Sequence, residues 1–354
     1  MAKQRIAILV PNFAEADGGA RVAKTQAEEL AAEGKYVAVF AFAADMRPIG
    51  ADLLIMGMPK NLFWQRIYRL IFPLDIFKTI KWIPKLRNFD EVIVHLYPLT
   101  WLGFLAKTFY RVKYTFWYHG IMDPLFFPYL RERIYIRLQI LLTKLTVRNV
   151  DKAVAVSKYI QKELKKYTGL DSEVSYNKVD HRKFRQGIDD TEVRRQYNLE
   201  RSPVILFVGA LRPVKGVHLL IQAFNLLKED VQNARLIIVG RPDYPYYFEK
   251  LKRMSDDSVI FVDFVSNDFL PFYYAACDIY ATCSMWESYN IPLVEAQLCG
   301  KPVVAFDIGP HREVINSKGV LVEQASVEEF SEACKKKLNK VRKLRDNSLD
   351  VRGP

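Results

Sequence analysis

Four cysteines in 354 residues is a small number, and no two of them stand in CxxC spacing. Cys277, Cys283, Cys299 and Cys334 also have no histidine close by in sequence. That excludes the usual zinc sets and a disulfide framework, and it reads as four reduced thiols of a cytosolic chain. Long apolar runs are missing too. No stretch approaches the ~18 uncharged apolar residues that a membrane-crossing helix needs. The opening "MAKQRIAILVPNF" holds only the short run Ile6 to Val10 and no small-residue cleavage site. It is expected to be a first strand, not a secretory leader. Short-period repeats and low-complexity tracts are absent as well. What is present is ordinary globular composition, 50% hydrophobic and 26% charged, enough for two cores.

The charge is uneven. The chain carries +12 in all, yet Lys60 to Lys166 alone holds 20 Lys and Arg against 7 Asp and Glu, a net of +13. Such an excess suits nucleic acid, anionic lipid or a phosphorylated substrate. No recognised nucleic-acid motif accompanies it, so no nucleic-acid partner is expected. Two parts of this region mix cations with large apolar residues. "LFWQRIYRLIFPLDIFKTIKWIPKL" carries Arg66, Arg69, Lys78, Lys81 and Lys85, and "LFFPYLRERIYIRLQILLTKLTVR" is similar. Charges interrupt every turn, so neither spans a bilayer. Both suit an anionic membrane surface with their aromatics inserted. Their apolar faces could equally complete a core.

The pattern of short apolar runs and amphipathic stretches alternates strand with helix. "RIAILV", the loop "PNFAEADGGA", "RVAKTQAEELAAEG" and "YVAVFAF" make one βαβ unit, which implies a parallel sheet buried on both faces. "DEVIVHLYP", "YTFWYHG" and "AVAVSKYIQKEL" continue it, with Ser157 as a helix N-cap. "SEVSYNKVD" reads as an edge strand and turn. A second run of the same kind begins at "PVILFVGAL". The expected architecture is α/β: two doubly wound, Rossmann-like domains facing each other across a cleft. The expected boundaries are 1–181, a charged linker with a surface helix at 182–202, a second domain 203–345 and a tail 346–354. The last helix, from Val327, is expected to end near Arg345.

Ligands of open parallel sheets bind at the carboxyl ends of the strands. In "FVGALRPVKGVHLL", Gly209 ends a strand, Arg212 and Lys215 ride the loop, and Gly216 opens a helix. Gly209 lets a ligand approach the backbone, and two cations beside a helix N-terminus make a diphosphate clamp. In "MWESYNIPLVEAQLCGKPVVAF", Glu287 lies in the loop after "IYATC". Pro292 fits the first helical position and Glu295 the first turn. The backbone N–H groups of Tyr289, Asn290 and Ile291 are further anion donors. A carboxylate beside a phosphate site makes sense where it accepts from sugar hydroxyls, so the pair implies a nucleotide sugar.

"ESYNIPLVEAQLCGKPVVAFDIGPHREVI" resembles the E-x7-E signature of retaining glycosyltransferases with the GT-B fold, in particular glycosyltransferase family 4. "GALRPVKG", "NKVD" (Asn177 to Asp180) and "GGARVAKTQAEELAAEG" are similar to other stretches of that family, in the same order along nearly the whole chain. The resemblance implies that Glu287 contacts the donor sugar near the reacting carbon and Glu295 the ribose. It implies that Arg212 and Lys215 bind the diphosphate and that Ser288, Tyr289, Asn290 and Ile291 line the donor. Gly18 and Gly19 would lie against the diphosphate or acceptor, and His119 near the donor sugar. His95 matches no motif and reads as structural. Ala210 stands where the family places its arginine, and Tyr289–Asn290 where it has phenylalanine–glycine. Asparagine tolerates the left-handed angles this turn needs.

The implied activity is retaining transfer of a sugar from a UDP- or GDP-sugar to a lipid-linked or polysaccharide acceptor at the cytosolic membrane face. Peripheral membrane contact would run through 60–166. No two aspartates stand two residues apart, so the metal-holding Asp-x-Asp of the other common transferase fold is missing, and neither metal nor cofactor is expected. Two competing readings are a nucleotide-sugar epimerase, which needs no separate acceptor, and a basic binding module with a dead site.

Overall fold

The computed structural model describes residues 3–350. The chain divides into two compact units between Lys178 and Val179. The first unit contains strands β1 (Arg5–Leu9), β2 (Asn12–Phe13), β3 (Tyr36–Ala41), β4 (Ala43–Ala44), β5 (Asp52–Ile55), β6 (Glu91–Val94), β7 (Lys113–Tyr118), β8 (Lys152–Ala155) and β9 (Glu173–Val174). Its helices are α1 (Gly18–Ala32), α2 (Leu62–Ile71), α3 (Ile76–Leu86), α4 (Thr100–Tyr110), α5 (Leu130–Thr146) and α6 (Lys158–Thr168). Seven strands form one parallel sheet in the order β5-β3-β1-β6-β7-β8-β9, and β2 pairs with β4 apart from it. Ile6, Ile8 and Val10 alternate into one core cluster with Val37, Val39 and Ala41 of β3, against Ala20, Ala23 and Ala27 of α1. Small residues let α1 lie close on the sheet. Ser157 caps α6 as the sequence indicates, its Oγ accepting from Ile160 N at 3.1 Å.

The second unit begins with α7 (Thr191–Gln196) and continues β10 (Val204–Val208), α8 (Val217–Asp230), β11 (Arg235–Val239), α9 (Pro245–Arg253), β12 (Val259–Val262) and α10 (Leu270–Ala276). Then come β13 (Ile279–Thr282), α11 (Ile291–Leu298), β14 (Val303–Phe306), α12 (His311–Val314), β15 (Val320–Val322) and α13 (Val327–Asp350). Its six parallel strands run β12-β11-β10-β13-β14-β15. Successive residues of a strand feed opposite faces. Ile205 and Phe207 join one core cluster with Leu236 and Ile238, while Val204 and Leu206 join the other with Ile237 and Val239. That is why "PVILFV" and "LIIV" are apolar throughout, not alternating.

The first strand of each sheet is central, and chain order reverses direction beside it. The switch points lie between β1 and β6 and between β10 and β13. The doubly wound order places ligands at the carboxyl ends of strands flanking such a point.

Three boundaries differ from the sequence reading. The charged stretch 182–202, expected as a linker with a surface helix, does contain a helix, α7, but sends Phe184, Val193 and Leu199 into the second unit's core. Three scattered apolar residues are enough to dock it, although its average composition hides them. α13 runs to Asp350, beyond the expected end near Arg345, and the rest of the expected tail lies outside the described residues. Pro292 occupies the second position of α11, after Ile291, and Glu295 consequently falls past the first turn.

Candidate active site

At the switch point of the second sheet, the loop after β10 meets the loop after β13. Gly216 makes the meeting possible. It has φ +62° and caps α8, and a Cβ there would lie 1.9 Å from the Cys283 carbonyl oxygen. Met285 N donates to Val214 O at 2.8 Å, which fixes the two loops side by side. Lys215 thereby reaches Glu287: its Nζ lies 2.7 Å from both carboxylate oxygens. Ser284 Oγ donates to Glu287 Oε1 at 2.9 Å, and Thr282 Oγ1 lies 3.0 Å from Ser284 Oγ. Glu287 is buried, only 8% exposed, while Lys215 keeps part of its side chain open to solvent. A buried carboxylate needs this much compensation.

Asn290 takes the left-handed conformation, φ +70°, at the N-cap of α11. Its Oδ1 accepts from Leu293 N at 3.4 Å, and its Nδ2 lies 2.8 Å from His311 Nε2. His311 Nδ1 is 2.7 Å from the Phe306 carbonyl, which accepts its proton. His311 Nε2 is therefore the lone-pair nitrogen that receives the asparagine amide. Burial lowers the His311 pKa, which keeps it in this neutral form. The turn that tolerates asparagine is thus also clamped by it. Ser288, Tyr289 and Ile291 follow the same loop into α11.

Glu295 is fully buried and takes a hydrogen bond from Tyr274 OH at 2.7 Å. Burial raises the Tyr280 phenol pKa well above its usual value, and the charges of Glu287 and Glu295 raise it further. Both glutamates therefore lie near the Tyr280 phenol. Arg212 does not join Lys215. It forms an ion pair with Asp243 in the loop after β11, and half of its side chain is exposed. Sequence proximity placed the two cations together; the fold gives Arg212 its own carboxylate. Gly209 directly follows β10 with φ +157°, and a Cβ on nearby Gly240 would lie 1.9 Å from the Gly209 carbonyl oxygen. The pair lets two strand ends close backbone to backbone.

In the first unit, Asp17 Oδ1 caps α1 by accepting from Gly19 N at 2.8 Å and Ala20 N at 3.3 Å. A Cβ on Gly19 would come within 3.6 Å of the His119 ring, so Gly19 and His119 are neighbours. His95 Nδ1 lies 2.8 Å from His119 Nε2, and His95 Nε2 lies 2.9 Å from Gln26 Oε1. The glutamine oxygen can only accept, so His95 Nε2 donates to it. His95 Nδ1 then accepts from His119 Nε2–H, and His119 Nδ1 keeps its lone pair. Burial pushes the His119 pKa down to about 4, and that of His95 well below normal, so both are neutral at pH 7. His95 reads in isolation as a structural histidine; here it also sets the tautomer of His119.

Ser284, Tyr274, His311 and Gln26 escape a reading of the sequence. Of these, His311 sits inside a recognisable stretch, "GPHREVI", and Gln26 inside "GGARVAKTQAEELAAEG". A cavity of about 480 Å³ opens at the opposite, amino-end edge of the second sheet, around Lys301, Lys318, Lys337 and Lys340. Two of those lysines already donate to carbonyls, Lys301 to Ala275 and Lys337 to Lys318. Among the described residues, no cluster of three His, Cys, Asp or Glu could hold a metal ion.

Comparison with known proteins gives these features a setting. Residues 16–183 match the family model "Glycosyltransferase Family 4", and residues 189–348 match "Glycosyl transferases group 1". The chain is 30% identical over 156 residues to a "GDP-mannose-dependent alpha-(1-6)-phosphatidylinositol monomannoside mannosyltransferase" of Mycobacterium tuberculosis, covering 40% of each chain. It spans about a third of the length of several other curated relatives. Its fold matches the sucrose-phosphate synthase of Thermosynechococcus elongatus with TM-score 0.81, at 18% identity over 96% of this chain and 91% of that one. It also matches Anabaena Alr3699/HepE, solved in complex with UDP-glucose, with TM-score 0.71, at 18% identity over 98% and 99% of the two chains.

Proposed function

The chain belongs to the glycosyltransferases of group 1 and family 4, with their GT-B fold, and from that premise we propose a retaining transfer of a sugar from a UDP- or GDP-sugar to a lipid-linked or polysaccharide acceptor. The observation that carries this reading is the ion pair of Lys215 and Glu287 at the switch point of the second sheet. In the proposed reaction the bond from the anomeric carbon to the diphosphate oxygen breaks, the nucleoside diphosphate leaves with its electron pair, the acceptor hydroxyl oxygen bonds to the anomeric carbon, and its proton passes to the departing diphosphate oxygen. Lys215 holds the negative charge that develops on that leaving group, the kind of fixed electrostatic help that dominates such sites. Glu287 faces the sugar, where positive charge develops. Glu295 serves the ribose, and the loop Ser288–Ile291 lines the donor. In the first unit, the lone pair on His119 Nδ1 accepts from a sugar hydroxyl, and Gly18–Gly19 leave room for the ligand backbone.

The membrane part of the proposal rests on the first unit's surface. α2, α3 and α5 leave Phe63, Trp64, Phe77, Ile80 and Leu130 exposed, Phe77 by 89%. On α5, Ile134, Leu138, Leu141 and Leu145 form one exposed stripe at helical spacing. Apolar surface of this extent marks an interaction face. Arg66, Lys78, Lys81, Lys85 and Lys144 lie on the same helices, which suits an anionic bilayer. No described helix is long and apolar enough to cross one. The relative named for phosphatidylinositol mannoside is itself named for a lipid acceptor. We place the enzyme on the cytosolic face.

The test is nucleoside diphosphate release across a panel of UDP- and GDP-sugars with membrane extract as acceptor. One donor should support release, and Lys215→Ala and Glu287→Gln should each lower it by about 10²–10³. Normal turnover in both folded variants contradicts the assignment.

A further inference from the structure

The switch point of the first sheet holds a cavity of its own. It measures about 210 Å³ and opens where the chain leaves β1 and β6, among Asn12, Asp17, Arg66, Arg69, Tyr97 and Tyr135. A water's share of liquid is about 30 Å³, so there is room for about seven waters, or for a phosphoryl group with a short substituent. Its polar atoms are unevenly matched. Asp17 is engaged at the start of α1. Tyr97 OH donates to the Leu70 carbonyl at 2.8 Å. Arg66 Nη1 reaches Glu132 Oε1 at 3.3 Å.

Arg69 is different. Among the described residues its guanidinium has no hydrogen-bond or ion-pair partner, and its Nε is buried. Burial lowers its pKa, with Tyr135 and Asp17 only partly opposing the effect. Asn12 Oδ1, in the same wall, is also buried without a partner. Buried polar atoms are normally paired, so an unmet donor and an unmet acceptor around one cavity ask for an external group. A desolvated guanidinium asks for an anion.

We propose that this cavity is an acceptor subsite that takes a phosphoryl group, with Arg69 as its main cation and Arg66 beside it. Two guanidiniums three residues apart on α2 offer more donors than one carboxylate can use, whereas a phosphoryl group has three acceptor oxygens. Asn12 Oδ1 then accepts from a hydroxyl of the same molecule. α2 also carries exposed Phe63 and Trp64, so the phosphate can belong to an amphiphile. The inference rests on the glycosyl transfer proposed above and specifies the chemistry of its acceptor.

The experiment uses the full chain labelled with 15N-arginine and follows side-chain Nε–H signals while inorganic phosphate is titrated in. The Arg69 and Arg66 signals, assigned by their loss in Arg69→Gln and Arg66→Gln, should shift saturably and further than with acetate at equal ionic strength. Phosphate affinity should fall at least tenfold in Arg69→Gln and recover in part in Arg69→Lys. Signals that stay still, that follow acetate equally, or an affinity untouched in both Arg69 variants would overturn the assignment. Cosedimentation with phosphatidylcholine vesicles containing phosphatidylglycerol separates the two sources of phosphate. Weaker sedimentation of Arg69→Gln places the group on a lipid; unchanged sedimentation with lost phosphate binding places it on a soluble phosphosugar. Titration with UDP and GDP separates this inference from the transferase reading. Nucleotide binding with silent arginines overturns only the subsite, and shifting arginines without nucleotide binding overturn only the transferase.

Discussion

Lys215 and Glu287 hold each other in a partly dry setting, and Ser284 supplies the third contact. A cation in that position must be shared between a protein carboxylate and any diphosphate that arrives, which keeps it oriented before binding. The buried histidines give a second residue-scale consequence. His95, His119, His218 and His311 all have pKa values lowered first by burial. Folding keeps them neutral, so the unfolded chain binds more protons, and stability is lost as pH falls. For His119 the window runs from 6.5, the ordinary value, down to about 4. Thermal melts should drop through that window, and His119→Gln should flatten the drop by roughly 3 kcal/mol at its acid end. A melting temperature that is level from pH 6.5 to 4 contradicts the neutral pair. The expectation for Glu287 and Lys215 comes from a linear motif and the strand-end rule; that the two pair with each other is added by the fold. The Arg212–Asp243 pair was not legible, because charge is visible in a sequence and its partner, well downstream, is not. His95 was undervalued for the same reason: nothing local shows that the ends of β6 and β7 bring two imidazoles together.

Among the elements, the loop from Pro213 to Gly216 matters most. It is short, buried against Cys283, and ends in a left-handed glycine. Gly216→Ala should destabilise the protein by on the order of 3 kcal/mol, through backbone strain and a clash that only loop movement can relieve. A denaturant midpoint equal to the parent's would mean the loops are not pressed together. The apolar helices make their own prediction. Phe77→Asp combined with Ile80→Asp on α3 should weaken cosedimentation with anionic vesicles about tenfold or more, since each side chain contributes up to ~2–3 kcal/mol of burial. Added salt should weaken it further. Unchanged binding would assign this face to another partner. Most strands and long helices could be read from apolar runs and caps such as Ser157. What could not be read was depth. α11 starts at Ile291, so Glu295 sits one residue further in, just past the first turn, and is buried against Tyr274.

Across the whole molecule, both units repeat one plan: a parallel sheet with its first strand central and a switch point beside it. Each switch point holds cationic chemistry, Lys215 with Glu287 in the second unit and Arg69 with Arg66 in the first. The repeat was legible because strands buried on both faces must be apolar throughout, and the chain shows such runs twice. The charged stretch between them was not legible as core, since only Phe184, Val193 and Leu199 carry it. The central claim is that the second switch point binds the diphosphate of a nucleotide sugar through Lys215. Calorimetric titration of UDP and GDP into the parent chain and into folded Lys215→Ala tests it most directly. The account predicts that one nucleotide binds the parent and binds the variant about ten- to a hundredfold more weakly, the loss of one charge-assisted contact. Equal affinity in the two proteins, or no binding of either nucleotide to the parent, would contradict it.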